Sequence, residues 1–289
     1  MLTSLVLLVF GAILGNAVLA AFTPMVTEAG TMSRDNYRGK RIPVVGGIPV
    51  LFVALTGLAV SEFLWAVTER GFLPEASTNV VAPLAFLVLI TGLFGLVDDA
   101  FGTPAAKGIR GHMKALARGR LTSGMVKLVA GVLAALVCAS MLEDRIGWII
   151  AGTITVAAWT NVGNLLDLGP GRAIKGCAPI VILLVLFYAT KSAPLMLLAG
   201  CYLGLLRADL GEKVMLGDSG SNPLGALVGL AAMTSGNHLL LVGFGVAGLL
   251  LNLAAEKVSF SRVIAATGLL RYLDLLGATP ERRKFITDK

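Results

Sequence analysis

Residues 80–99, VVAPLAFLVLITGLFGLVDD, decide the fold. The first 18 carry no charge, and the acid pair Asp98 and Asp99 ends the run. An apolar run of about 20 residues is enough to cross a bilayer as an α-helix. Two adjacent carboxylates at a helix C-terminus repel each other and face its partial negative charge, which favours a nearby cation or proton donor. The stretch predicts a membrane helix whose end either meets water or carries a functional site.

The whole chain has the composition of a membrane protein. Of its 289 residues, 56% are hydrophobic and 14% are charged, whereas soluble domains carry about 25% charged residues. The apolar runs are continuous rather than alternating, which excludes a membrane β-barrel. We predict an all-α, polytopic membrane protein with about nine transmembrane helices in one domain, residues 1–289. The predicted spans are 3–22, 43–66, 80–97, 123–142, 147–166, 177–190, 194–209, 222–236 and 238–255.

The positive charges predict the orientation. If the spans alternate sides, 21 of the 24 Lys and Arg residues lie on one side, and positively charged loops stay in the cytoplasm. No basic residue precedes the first run, unlike in a signal peptide, so we expect a true first helix. The N-terminus should then lie outside a plasma membrane, with the C-terminus cytoplasmic. Residues 258–277 predict an amphipathic helix, ended by Gly277 and Pro280, on the inner leaflet or against the protein's own loops.

A second polar group ends the fifth predicted span. Asn161, Asn164 and Asp167 are spaced by three and follow one helical face. Such a stripe faces a cavity or makes hydrogen bonds to a neighbouring helix. The Gly-Pro-Gly turn that follows would present Arg172 and Lys175 to the same surface, where exposed amides and cationic side chains suit a phosphate.

A third acidic position, Asp218, precedes the eighth span. It is either part of an ordinary helix start before Pro223 or a ligand. The alternation of spans places it on the same side as Asp98, Asp99 and Asp167. Acidic oxygen ligands without a Cys or His set fit Mg²⁺, which suggests metal-assisted phosphoryl transfer. Basic residues on this side that could hold an anionic substrate are Lys40, Lys107, Arg110, Lys114 and Arg172.

These segments together resemble the polyprenyl-phosphate N-acetylhexosamine-1-phosphate transferase family. The similarity lies in their order along the chain, since no single segment is very specific. The matching segments are Arg41-Ile42-Pro43-Val44-Val45-Gly46-Gly47, Gly95-Leu96-Val97-Asp98-Asp99, Asn164-Leu165-Leu166-Asp167 and Leu216-Gly217-Asp218-Ser219-Gly220-Ser221.

The resemblance implies transfer of a sugar 1-phosphate from a UDP-sugar to a membrane polyprenyl phosphate, with Mg²⁺ as cofactor and UMP as product. It implies that Asp218 binds the metal and that Asp98 and Asp99 assist the metal or deprotonate the lipid phosphate. Asn164 and Asp167 would face the nucleotide. With them we group, as donor- or substrate-binding candidates, Asn161, Arg172, Lys175 and Lys40. We expect no nucleic-acid partner, and the sequence leaves a homodimer open.

Three positions depart from the family pattern. Pro170 replaces a second Asp after the Asn segment, and Met215 replaces an aromatic residue that stacks on uracil in the family. Gly102 stands where the member of the family that makes the first lipid intermediate of peptidoglycan has a Lys. The family's C-terminal His cluster is also missing. A catalytically silent paralogue that binds or moves a polyprenyl-linked lipid therefore remains an alternative. A secondary transporter is a third, less favoured because the acids lie at span ends rather than mid-membrane.

Overall fold

A computed structural model describes residues 1–30, 32–68, 75–102, 111, 114–188 and 192–287. The long helices are α1 Leu2–Ala29, α2 Gly47–Thr68, α3 Glu75–Phe101, α4 Ser123–Leu142, α5 Ile146–Leu166, α6 Arg172–Phe187, α7 Pro194–Leu210, α8 Asp218–Met233 and α9 His238–Ala255. Shorter elements are the strands β1 Ser33–Asp35 and β2 Arg41–Pro43 and the helices α10 Phe260–Ala266, α11 Gly268–Leu275 and α12 Pro280–Thr287.

A helix lies at each predicted span. Among the described helices, six are long and apolar enough to cross a membrane, namely α1 to α5 and α9. Helices α6, α7 and α8 have 16 or 17 residues and rise about 24–26 Å, less than the roughly 30 Å of a bilayer's hydrocarbon core. The all-α membrane fold is therefore confirmed, and the nine crossings stay a prediction.

Helix α8 is the centre of the bundle. Its residues 219–233 are all buried, and it packs against α2, α3, α5 and α6. A Cβ on Gly225 of α8 would lie 2.0 Å from the Trp159 carbonyl oxygen of α5, so these two helices touch backbone to backbone, as small residues allow in membrane proteins. This packing places the N-terminus of α8, with Asp218, against the ends of α3 and α5.

A small hairpin adds strands that the sequence did not predict. Strands β1 and β2 pair antiparallel, and the following residues hold the loop before α8. The Met215 amide donates to the Pro43 carbonyl at 2.8 Å, and the Gly46 amide donates to the Met215 carbonyl at 3.0 Å. Buried Glu212 accepts hydrogen bonds from the side chains of Asn36 (3.0 Å), Tyr37 (2.7 Å) and Arg38. The hairpin thus fixes the chain that enters α8.

The C-terminal segment corrects one expectation. Instead of a single amphipathic helix over residues 258–277, it forms α10 and α11, separated at Thr267, whose backbone is extended. The predicted end near Gly277 is present, but Pro280 begins the further helix α12 rather than following the last one. Helix α11 is held against the start of α6 by the bonds between Arg172 and Asp274.

Candidate active site

Asp99 organises the site by binding the start of α8. Its Oδ1 accepts the Asp218 amide at 3.0 Å and its Oδ2 accepts the Ser219 amide at 2.9 Å. A carboxylate at this position accepts hydrogen bonds from amides that have no partner within the helix, and its negative charge interacts favourably with the positive end of the helix dipole. The preceding Gly217 has φ of 70°, and a Cβ on it would lie 2.7 Å from Asp99 Oδ2. A glycine is therefore required at this turn for both backbone conformation and space.

Lys127 joins the two remaining acids of the cluster. Its Nζ donates to Asp98 Oδ2 at 3.0 Å and also to Asp218 Oδ2. The three side chains are each about one-fifth exposed, at 21%, 18% and 19%. Two carboxylates from α3 and α8 thus converge on one cationic group from the first turns of α4. The arrangement can hold a positive charge between two acids at the helix ends.

The other side of Asp218 faces α5. Asn164 Nδ2 donates to Asp218 Oδ1 at 2.7 Å and to Asn222 Oδ1 at 3.1 Å. Asp167 lies just beyond the end of α5, where its amide donates to the Asn164 carbonyl at 3.1 Å. Desolvation, and then the negative charges of nearby carboxylates including Asp218, raise the pKa of Asp167 well above its ordinary value. The predicted acids are therefore together, and Asp167 holds a proton more readily than a free aspartate.

Two cationic residues of this site were missed by the sequence reading. Arg34 Nη2 donates to the carbonyl oxygens of Asp98 at 2.8 Å and Asp99 at 2.9 Å, closing the C-terminal end of α3. Lys127 was counted only as a charge at a loop edge. A lysine a full turn inside an apolar span is a signal that could have found it, because such a charge needs a partner. Arg34 carries no comparable signal among four basic residues of one loop.

Several predicted site residues lie apart from the acids. Asn161 binds Asn252 of α9, so its role here is the interhelical hydrogen bond that the sequence left open. Lys40 is exposed at the hairpin turn, where its amide donates to Asn36 Oδ1 at 2.9 Å. Lys107 and Arg110 lie outside the described residues.

Arg172 and Lys175 hold the C-terminal segment rather than an open surface. Arg172 binds both oxygens of Asp274, through Nε at 2.9 Å and Nη2 at 3.2 Å. Arg282 adds a bond to the same carboxylate at 2.9 Å. Lys175 Nζ donates to the Leu273 and Asp274 carbonyls at 2.9 and 2.6 Å. The basic groups expected to meet a phosphate thus surround a carboxylate of the chain itself.

The fold and this cluster define a polytopic helical membrane protein with an ion-paired acidic site at its helix ends. Within the described residues, no group of three or more His, Cys, Asp or Glu side chains is placed to hold a metal ion. No family model matches the chain.

The chain is 26% identical to the phospho-N-acetylmuramoyl-pentapeptide-transferase of Corynebacterium kroppenstedtii, over 73% of this chain and 70% of that protein. This similarity supports its membership, as a divergent member, of the polyprenyl-phosphate hexosamine-1-phosphate transferase family. The resemblance seen in the sequence motifs is thereby confirmed.

Proposed function

We propose that this protein transfers a sugar 1-phosphate from a UDP-sugar to a polyprenyl phosphate, giving a polyprenyl-diphosphate-linked sugar and UMP. The observation that carries the proposal is the convergence of Asp98 and Asp218 on Lys127, beside a loop that Asp99 fixes. The relative from Corynebacterium kroppenstedtii, by its name a phospho-sugar transferase, supports the reaction class.

Mg²⁺ is the proposed cofactor, and Asp98 and Asp218 are the residues that would hold it. Their oxygens already converge on a cation, the Lys127 ammonium, and an all-oxygen donor set suits Mg²⁺. Two protein carboxylates are sufficient, because Mg²⁺ is commonly bound by one or two carboxylates together with substrate phosphates. When bound, the ion would neutralise the diphosphate and the charge that develops during transfer.

Asp99 has a different role in this proposal from the metal binding expected on sequence grounds. Both of its oxygens accept amides of the α8 start, so we assign it to positioning Asp218. Its function as a metal ligand stays an untested prediction.

The reaction needs one bond to form and one to break. An oxygen of the lipid phosphate attacks the sugar-bearing phosphorus, and the bond from that phosphorus to the UMP oxygen breaks. The Lys127 ammonium, beside both acids, would offset negative charge that develops on the leaving UMP, and such electrostatic stabilisation is usually the largest contribution to catalysis. Asn164 holds Asp218 in register, and Asp167, at the end of α5, would face the nucleotide. The Arg34 side chain, 43% exposed, would be available to the donor phosphates.

The position of the acids at helix ends suits a lipid substrate. A polyprenyl phosphate keeps its chain in the bilayer and its phosphate at the surface, where a water-soluble donor also arrives.

We further propose that the chain crosses the membrane nine times, with its N-terminus outside and with the active face and the C-terminal segment in the cytoplasm. We also propose a plasma-membrane location and a part in cell-wall biogenesis. The positive-charge distribution supports this orientation. A homodimer stays an untested expectation.

A catalytically silent lipid-binding paralogue is the second candidate. The observation that favours it is that Lys127 already neutralises Asp98 and Asp218, which leaves the cluster stable without a divalent ion.

A donor screen separates the two candidates. Purified protein is incubated with polyprenyl phosphate, Mg²⁺ and a panel of nucleotide sugars, and UMP and lipid-linked product are measured. We expect UMP release with at least one UDP-sugar, its loss in Asp218→Asn, and wild-type release in the exposed control Asp144→Asn. Lipid binding without UMP release from any donor would favour the silent paralogue.

A further inference from the structure

The C-terminal segment, residues 256–287, is attached to the bundle at two places, the end of α9 and the start of α6. It leaves α9 at Ala255, the end of a helix apolar enough to span a membrane. Further along, Arg172 and Lys175 in the first turn of α6 bind Asp274 and the end of α11. Arg172 also donates to Ser261 Oγ of α10 at 2.9 Å, so α10 and α11 are both held at the start of α6.

The face of α10 and α11 that turns away from the bundle is apolar. While Asp274 is buried against α6, large apolar side chains on the rest of the segment are 39% to 68% exposed. They recur on both sides of Thr267, and together they are the apolar patch of this segment. These side chains are Val258, Val263, Leu269, Leu270, Tyr272, Leu273 and Leu276.

Basic side chains border this patch. Between residues 256 and 276, Lys257, Arg262 and Arg271 are exposed, against one exposed acid, Glu256. Apolar side chains with interspersed Lys and Arg are the composition of helices that lie in a membrane interface, where the basic groups meet anionic headgroups. A contiguous exposed apolar patch would be unfavourable in water.

We propose that α10 and α11 form an interfacial anchor whose apolar face docks on an anionic lipid leaflet while Asp274 holds its other face to the start of α6. Lipid is the occupant because the patch continues directly from α9, whose Leu249, Leu250 and Leu253 are also exposed. The chain that follows the anchor reaches the hairpin beside the acidic cluster, since Arg282 of α12 lies 5.9 Å from the Tyr37 ring centroid. The proposal does not depend on the transferase activity.

Lipid-quenching of a fluorophore tests this contact in the full-length protein. The three native cysteines are buried, so an engineered surface cysteine can be labelled selectively. The label is placed at Leu269→Cys on the patch and, as a water-facing control, at the exposed loop position Lys213→Cys. Each protein is reconstituted into phosphatidylglycerol-containing vesicles with shallow nitroxide-labelled lipid. We expect quenching at position 269 to exceed that at 213 by about twofold or more, as a residue seated at headgroup depth requires.

Charge reversal tests the contribution of the lipid headgroups. Mixing differently labelled copies of the protein tests whether a second copy of the chain, rather than lipid, covers the patch. Arg262→Glu with Arg271→Glu should reduce quenching at position 269 in phosphatidylglycerol vesicles and not in phosphatidylcholine vesicles. Equal quenching at 269 and 213, or no effect of the reversal, would overturn the docking on anionic lipid. Energy transfer between differently labelled copies at 269, in place of lipid quenching, would assign the patch to a second copy of the chain.

Discussion

Replacement of Lys127 by Met tests whether the acids form a cation site. The substitution keeps an unbranched side chain and removes the ammonium that binds Asp98 Oδ2 at 3.0 Å and also Asp218. Two carboxylates that met on one cation then face each other without it. Loss of one partner from a buried ion pair costs roughly 3–5 kcal/mol. Because the Lys127 side chain is 21% exposed, we expect the lower end, about 3 kcal/mol.

The assay is thermal unfolding in detergent with and without Mg²⁺. Without the ion, Lys127→Met should unfold at a clearly lower temperature than the wild type, and saturating Mg²⁺ should restore most of the difference because it replaces the lost charge. The wild type should also be stabilised, but to a smaller extent, because the ion must first displace the Lys127 ammonium from the two carboxylates. Lys114→Met, at an exposed position, serves as the matched control and should behave like the wild type.

Equal Mg²⁺ responses in Lys127→Met and the wild type would refute this reasoning. The ion would then bind elsewhere or not at all, and Asp98 and Asp218 would be a structural salt-bridge pair.

Four further predictions follow from single contacts. Asp99→Asn should lower turnover at least about tenfold, since one amide of the α8 start loses a charge-assisted bond worth about 1.5–3 kcal/mol, and extra Mg²⁺ in the rate assay should not recover it. Gly217→Ala should reduce the yield of folded protein in size-exclusion chromatography, because the added Cβ meets an acid oxygen at 2.7 Å. Met215→Phe should tighten UDP-sugar binding in calorimetry about tenfold if uridine stacks there; unchanged affinity would place the nucleotide elsewhere. Burial opposes ionisation of Asp274, but the bonds and charge of Arg172 outweigh burial and lower the pKa of Asp274 below the ordinary 3.8. Asp274 therefore stays ionised as the pH falls to about 4, and the contact between α11 and α6 should loosen only in stronger acid. Spin-label distances between α11 and α6, measured against pH, check this.

The fold class and the position of each long helix were readable from the sequence. Apolar run length and the distribution of basic residues are local quantities, and the bilayer converts them directly into helices. The same reading grouped Asp98, Asp99, Asp167 and Asp218 at one end of the bundle, because alternation of spans fixes which ends meet. It also recovered the family resemblance from four short segments in order.

Only the tertiary structure decided what each side chain binds. Asn161 and Asn164 are three residues apart, which turns them by about 60° on a helix, and this sends one to Asn252 of α9 and the other to Asp218 of α8. Helical spacing alone could not separate a cavity-facing stripe from two different helix contacts.

The partners of the charged groups show the same limit. Asp99 binds an amide 120 residues away along the chain, and Arg172 binds Asp274 across 102 residues. Such pairings depend on which helix ends the packing of α8 and the C-terminal segment bring together. The charge pattern could place these groups on one side of the membrane. Which acid then meets which base depends on how the helices pack, and that packing depends on small residues that let two backbones approach closely.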